Sequence, residues 1–337
     1  MTDRSTTDPR VSVVMPVVNE ERHLRSSVER ILAQDYAGPL EVVIAVGPSR
    51  DRTREIADSL AAQHASVHVV ANPTGRTPAG LNAAIARSTG DVVVRVDGHA
   101  MLPDDYVRTA VSTLAETGAD NVGGIMAAEG TTDFECAVAR AMTSVFGVGG
   151  ASFHVGGEAG PALTVYLGSF TRAALDRVGG YDESMERAQD WEMNLRIRQT
   201  GGIVWFTPRM HVTYRPRGSV RALARQYHDY GRWRREVARR HPDTVSVRYL
   251  AAPVMVAAVV LGTVLGILGL ALGIGWLAVL GLAMPVGYLA LDVLASIASA
   301  RRAPHLPWRS SRWLPIVYAT MHWSWGTGFL RGAGDRP

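Results

Sequence analysis

The sequence predicts an α/β domain followed by a transmembrane helical hairpin, and three observations carry that reading. Four short, β-branched apolar runs within residues 11–97 alternate with segments of helical spacing. Residues 249–272 and 276–300 are almost free of charge, and each is long enough to cross about 30 Å of hydrocarbon. The chain of 337 residues is 47% hydrophobic and 20% charged, which excludes a disordered chain and leaves room for one large domain plus a second element.

The elements follow in order. The opening MTDRSTTDPR (1–10) is a polar tail without the apolar core of a signal peptide, so the N-terminus is expected on the cytoplasmic side. VSVVMPV (11–17), LEVVIAV (40–46), SVHVVA (66–71) and DVVVRVD (91–97) read as strands. Helices are expected over 21–34, 53–63, 78–88 and 104–116. Such alternation implies parallel pairing, right-handed crossovers and ligands at the carboxyl ends of the strands. The Gly-rich stretch GVGGASFHVGGEAGP (147–161) is expected to be a mobile loop.

The two apolar spans are joined by GIG (273–275), so residues 249–300 read as a hairpin. Arg232, Arg234, Arg235, Arg239, Arg240 and Arg248 precede it, and Arg301, Arg302, Arg309 and Arg312 follow it. The positive-inside rule places both flanks in the cytoplasm, against the cell membrane. Residues 313–332, rich in tryptophan and interrupted by glycine, are expected to be an interfacial or re-entrant segment.

Composition removes several chemistries. Thirty-five basic and 31 acidic residues give +4, too little overall for a nucleic-acid binder. Every basic residue other than histidine is Arg, which excludes a Schiff-base lysine. Cys136 is the sole cysteine, so neither a disulfide framework nor a multi-cysteine zinc site is available. Any metal must be held by Asp, Glu or His. Between Arg209 and Arg248 eleven Arg face three acids, enough to draw this face to anionic lipid at about 1 kcal/mol per charge.

Polar motifs stand where the strands end. Pro16-Val17-Val18-Asn19-Glu20 follows the first strand, Gly47-Pro48-Ser49-Arg50-Asp51-Arg52-Thr53 the second, and Asp97-Gly98-His99 the fourth. VSVVMPVVNEERHL resembles the opening of the family 2 glycosyltransferases, and GPSRDRT stands in place of that family's DDGSTDGT turn. Asp97-Gly98-His99 is similar to the family's Asp-x-Asp, with the second acid replaced by His. In isolation it would read as a turn Asp beside a solvated His. The block at 166–202 resembles the family's acceptor half, with the small pair Gly168-Ser169 and Gln189-Asp190 where Glu-Asp is usual. RQYHDYGRW (225–233) lacks the Gln-x-x-Arg-Trp spacing of processive synthases. It is closer to bacterial exopolysaccharide glucosyltransferases of the succinoglycan type.

The resemblance implies a GT-A (Rossmann-like nucleotide-diphospho-sugar transferase) domain over 11–245, with a nucleotide-sugar half (11–117) and an acceptor half (118–245). It implies inverting transfer from a nucleotide-diphosphate sugar, a UDP-sugar first among them, to a membrane-associated acceptor such as a lipid-linked saccharide, glycolipid or polysaccharide precursor. Asp190 would be the catalytic base, and Asp97 and His99 would hold Mn²⁺ or Mg²⁺. Pro16, Val18, Glu20, Gly47, Ser49, Arg76, Asn82, Arg95 and Asp97 would bind the nucleotide sugar. Gly168, Ser169, Gln189, Trp191, Gln226, Arg232 and Trp233 would contact donor sugar or acceptor, and the 147–161 loop would close over both.

Beside these roles stand plainer ones. Asp190 reads equally as a helix-capping carboxylate worth about 1 kcal/mol, and Trp191 as core. Val46 and Gly47 stand where the family usually has acids, and Val18 where an aromatic is common, so the donor pocket is altered. Two other functions fit the same residues: a polyprenyl-phosphate glycosyltransferase, and a non-catalytic membrane-tethered binding or scaffold protein.

Overall fold

The computed structural model describes residues 8–332; the first seven residues of the polar tail lie outside them. The chain forms two units, one of residues up to Ala127 with Gly156–Tyr214, the other of Ala128–Val155 with the chain from Arg215 onward. The helix over residues 220–240 packs against the helix over residues 314–331 within the second unit.

The first unit opens with β1 (Val11–Val17), α1 (Leu24–Leu32), β2 (Leu40–Val46), α2 (Thr53–Gln63) and β3 (Val67–Ala71). It continues through α3 (Thr77–Arg87), β4 (Val92–Arg95), α4 (Tyr106–Thr117) and β5 (Asn121–Ala128). Helices α5 (Asp133–Met142), α6 (Val145–Val148) and α7 (Ser152–Val155) belong to the second unit. The chain then returns with β6 (Gly160–Pro161), β7 (Tyr166–Thr171), α8 (Arg172–Val178), α9 (Gln189–Gln199) and β8 (Val204–Tyr214).

Among the described residues, eight strands form one sheet in the order β3-β2-β1-β4-β7-β5-β8-β6. The first four pair in parallel, with Val13 opposite both Val42 and Val94. β1 and β2 are buried on both faces, which is why they read as continuous apolar runs. β7, arriving from much later in the chain, pairs antiparallel with both β4 and β5. Helix α1 starts three residues later than the periodicity predicts. The backbone N–H groups of Glu20 and Glu21 are taken by side chains of the next loop, Thr53 and Asp51, so these residues stay outside the helix.

In the second unit α10 (Val220–Arg240) is followed by α11 (Val247–Ala271), α12 (Gly275–Arg301), α13 (Trp308–Ser311) and α14 (Leu314–Arg331). Helices α11 and α12 are the two long apolar helices of the hairpin. Only 28% and 17% of their most apolar stretches are buried, which suits a lipid-facing hairpin far better than a soluble core. They pack closely: a Cβ on Gly281 would lie 2.7 Å from the Gly262 carbonyl oxygen, the close approach that small residues allow between membrane helices. The segment expected to be broken by glycine is the continuous helix α14. Polar pairs hold it to its neighbours, with Ser299 Oγ 2.6 Å from Tyr318 Oη and His322 Nε2 2.8 Å from the Phe146 carbonyl.

Candidate active site

The loops after β1 and β2 are stitched into one platform by side-chain to backbone hydrogen bonds. Asn19 takes a left-handed conformation (φ 56°). Its N–H donates to Ser49 Oγ at 3.1 Å, and its side-chain oxygen accepts from the Arg50 N–H at 2.8 Å. The Glu20 N–H donates to Thr53 Oγ1 at 2.7 Å. Gly47 sits in the seam: a Cβ there would lie 2.6 Å from Val18 Cγ2 and 3.0 Å from Gly75 Cα. The missing acid at 47 and the small aliphatic Val18 are therefore two sides of one close contact, and Val18 occupies the space a longer side chain would need.

At the end of β4 the guanidinium of buried Arg95 joins two carboxylates. It donates to Asp97 Oδ1 at 3.1 Å from Nη2 and to Asp190 Oδ1 from Nη1. Burial opposes the Arg95 charge, yet the two acids hold it well above the ordinary arginine range. Asp190 lies in the first turn of α9, whose N-cap is Ala188 in a left-handed conformation with no side-chain cap. Asp190 is thus turned to Arg95 instead of capping its helix. Burial pushes the Asp190 carboxyl up from the usual aspartate value; Arg95 opposes this and Asp97 reinforces it. Its side chain remains 29% exposed, so an incoming group can reach it.

The turn carrying Tyr181 completes this corner. Burial, reinforced by the charge on Asp190, pushes the Tyr181 phenol up and keeps it neutral. Asn82 on α3 grips the turn from one side. Its Nδ2 donates to the Tyr181 carbonyl and its Oδ1 accepts from the Tyr181 N–H, both at 2.8 Å. From the other side Arg196 binds Glu192 in a bidentate pair (2.6 and 2.7 Å) and donates to the carbonyls of Val178 and Gly180. Arg76, at the start of α3, lies 3.7 Å from Glu186 in an exposed pair.

Two residues past Asp97, exposed His99 places Nδ1 2.8 Å from Glu20 Oε1. A histidine whose Nδ1–H donates to a carboxylate presents Nε2 as a lone-pair nitrogen, the arrangement second-shell carboxylates impose on metal-binding imidazoles. Among the described residues no three His, Cys, Asp or Glu side chains converge as an ion-holding group. The donor set of Asp97 and His99 therefore fits a divalent ion only as part of a shell that substrate oxygens and water complete.

A glycosyl transferase family 2 model matches residues 12–177. The succinoglycan biosynthesis protein ExoA of Rhizobium meliloti (strain 1021) is 31% identical over 321 residues, covering 95% of this chain and 93% of ExoA. The chain belongs to glycosyltransferase family 2. A dolichyl N-acetyl-α-D-glucosaminyl phosphate 3-β-D-2,3-diacetamido-2,3-dideoxy-β-D-glucuronosyltransferase of Methanococcus voltae is 25% identical over 66% of this chain and 71% of its own. Among solved structures, the mannosyltransferase PcManGT from Pyrobaculum calidifontis, in complex with GDP-Man and Mn²⁺, superposes with a TM-score of 0.59. It shares 21% identity and the match covers 98% of this chain and 89% of PcManGT, which shows a common GT-A fold.

In this family 2 transferase the remaining expected contact residues are spread widely. Gly168 and Ser169 are buried inside β7, with Ser169 wholly inaccessible, so the expected small-residue floor lies within the sheet. Gln189 and Trp191 flank Asp190 and are both buried, and the plainer core reading of Trp191 describes its position. Half-buried Pro16 ends inside β1. Gln226, Arg232 and Trp233 lie on α10 in the second unit. There Gln226 Nε2 donates to Tyr230 Oη at 3.1 Å and Arg232 Nε to the Gly332 carbonyl at 3.0 Å.

The 147–161 stretch is not a plain mobile loop. It contains the end of α6 and the whole of α7, and just before it Ser144 caps α6 through the Phe146 N–H while His322 holds the Phe146 carbonyl. Sequence reasoning missed Tyr181 and Arg196 as site residues. The Tyr-Asp-Glu step at 181–183 was the available signal for the first, and an i,i+4 Glu-Arg pair in α9 for the second.

Proposed function

We propose that this family 2 transferase moves a sugar, with inversion, from a nucleotide-diphosphate sugar to a hydroxyl of a membrane-associated acceptor, from the cytoplasmic face of the cell membrane. The observation that carries the reading is the convergence of Asp97 and Asp190 on Arg95, with Arg95 and Asp190 95 residues apart in the chain. A strand-end carboxylate at a donor platform and a helix-start carboxylate with a raised proton affinity are the two ends that in-line transfer to an alcohol needs.

The residues divide the work. The platform of Asn19, Glu20, Ser49 and Thr53 presents backbone and hydroxyl groups on which the nucleotide is oriented. Asp190 takes the proton of the acceptor hydroxyl on a carboxylate oxygen, a role typically worth about 10²–10⁴-fold. Arg95 places positive charge between the two acids, so that Asp190 is ionised when the acceptor arrives. Asp97 and His99 would hold Mn²⁺ or Mg²⁺, which when bound neutralises charge on the departing diphosphate. The exposed apolar hairpin supports an acceptor that stays in the bilayer, since docking both partners on one surface raises their effective concentration. The M. voltae relative, named for transfer onto a dolichyl-phosphate-linked sugar, supports a lipid-linked saccharide over bare polyprenyl phosphate.

The test is Asp190→Asn in the full-length protein. Turnover should fall by about 10²–10⁴-fold with nucleotide affinity retained; full activity would refute the base assignment. Thin-layer analysis with a lipid-linked saccharide and with polyprenyl phosphate decides between the two acceptors.

A further inference from the structure

Between β5 and β6 the chain runs through α5, α6 and α7, and residues 128–155 belong with the apolar helices in the second unit. Residues 141–157 contain no acid and no arginine, in a chain of which 20% is charged. Their one titratable side chain is His154, which burial and the charge on Arg248 push down to about 4, so it is neutral at physiological pH. The run is nevertheless not a core element. Val145 is 53% and Phe146 40% accessible, and Val155 is exposed as well. Isolated exposed apolar side chains are ordinary on a protein surface, but here they stand on a stretch that carries no charge to hold water around them.

The contacts of this stretch fix its level on the hairpin. Ser144 Oγ lies 3.4 Å from Ser299 Oγ in the last turn of α12, and Arg140 Nε donates to the Ser299 carbonyl at 3.0 Å. A Cβ on Gly149 would lie 3.1 Å from Cδ of Arg248, in the first turn of α11. Between these points His322 Nε2 lies 2.8 Å from the Phe146 carbonyl, and a Cβ on Gly147 would lie 2.9 Å from Met321 Cε. The stretch thus touches both hairpin helices at their basic ends, where the apolar spans give way to Arg248 and Arg301. Exposed Leu250 and Val254 bring the apolar surface of α11 up to the same level. Uncharged backbone with exposed valine and phenylalanine at the edge of a lipid-facing hairpin has the chemistry of an interfacial anchor.

We propose that Val145, Phe146 and Val155 insert into the interfacial layer of the bilayer, so that residues 144–155 form a lipid contact continuous with the hairpin. The proposal rests on the hairpin lying in lipid and is independent of the transferase reading.

The test uses the full-length protein in nanodiscs of phosphatidylcholine and phosphatidylglycerol. Cys136, the sole cysteine, is replaced by serine, and a nitroxide is attached in turn at Val145→Cys, Phe146→Cys and Val155→Cys. Power-saturation spectra compare relaxation by oxygen, which concentrates in lipid, with relaxation by a water-soluble nickel chelate. Exposed Arg54→Cys on α2 gives the water value and exposed Leu289→Cys on α12 the lipid value. The oxygen-to-nickel ratio at the three positions should lie between these two values. Ratios at Val145 and Phe146 equal to that at Arg54 would overturn the proposal. Shielding of both labels from both reagents would overturn it too, and would give this face to a second copy of the chain. A water value at Leu289→Cys would remove the hairpin itself from lipid, and the proposal with it. Should the serine background fail to fold, Cys136→Ala carries the same comparison.

Discussion

In the parallel half of the sheet, β3 to β4, Asn19, Ser49 and Asp97 stand in the turns that directly follow their own strands. In the antiparallel half, β7 reaches β4 from much later in the chain, and Asp190 arrives on a helix. The platform of Asn19, Ser49 and Thr53 is built from short local turns. The corner of Arg95, Asp97 and Asp190 exists only after the two halves have closed. Arg95 is the joint between them: it ends a parallel strand and bonds a carboxylate from the other half. The end proposed for the donor can vary by local substitution, as at Gly47 and Val18, while the end proposed for the acceptor depends on tertiary packing.

The largest effect is expected from removing that joint. Arg95→Met leaves Asp97 and Asp190 without the cation they share, and breaking a buried ion pair in this way costs about 3–5 kcal/mol. Chemical denaturation of the detergent-solubilised protein should show the loss together with abolished transfer. An Arg95→Met protein of unchanged stability would mean that the halves are held together elsewhere.

Asn82→Ala comes next. It removes the pair of hydrogen bonds to the Tyr181 backbone and the 3.1 Å bond to Glu183, for about 1–3 kcal/mol from groups left unsatisfied. The sequence reading gave Asn82 to the nucleotide, whereas its bonds commit it to the Tyr181 turn beside Asp190. The variant should therefore lower kcat with little change in nucleotide affinity. A raised nucleotide Kd with unchanged kcat would return Asn82 to the donor pocket.

What the sequence made legible follows the same division. Strands β1 and β2 match their apolar runs residue for residue, because a strand buried on both faces writes its limits into its own composition. The start of α9 and the aspartate in its first turn were also legible. The insertion of β7 beside β4, the Arg95 bridge and the Asn82 grip were not. Each joins residues between 75 and 99 positions apart, and no local pattern encodes such a contact. The Gly-rich 147–161 stretch misled for the reverse reason. Its composition permits mobility, but the N–H groups of Gly147 and Val148 donate to the Ser144 carbonyl and that of Gly149 to the Val145 carbonyl, which ties its first residues into α6.

A smaller effect concerns pH. Because burial and Asp97 raise the Asp190 carboxyl, the acid limb of the kcat profile should lie above that of an exposed aspartate, about 3.9. The linkage has the opposite sign for stability. A carboxyl that titrates higher when folded favours the folded state fully below its unfolded value, and that contribution is lost as pH rises through the folded one. Activity should thus fall on acidification before the folded state weakens on account of this group. Coincident loss of activity and of secondary structure by circular dichroism would assign the acid limb to unfolding.

The smallest effect belongs to the surface of the parallel half. Arg54 and Asp58 form an i,i+4 pair on α2 at 2.8 Å, with side chains 59% and 52% exposed. Solvent screens such a pair and the ordering of two long side chains offsets its attraction, so Arg54→Ala should cost about 0.3–0.5 kcal/mol at most. Transfer activity should be unchanged, because the platform is held through Asn19, Glu20 and Thr53 and not through the outer face of α2. A marked fall in kcat for this variant would show that the parallel half transmits strain from its surface to the site, and that the local character assigned to it is wrong.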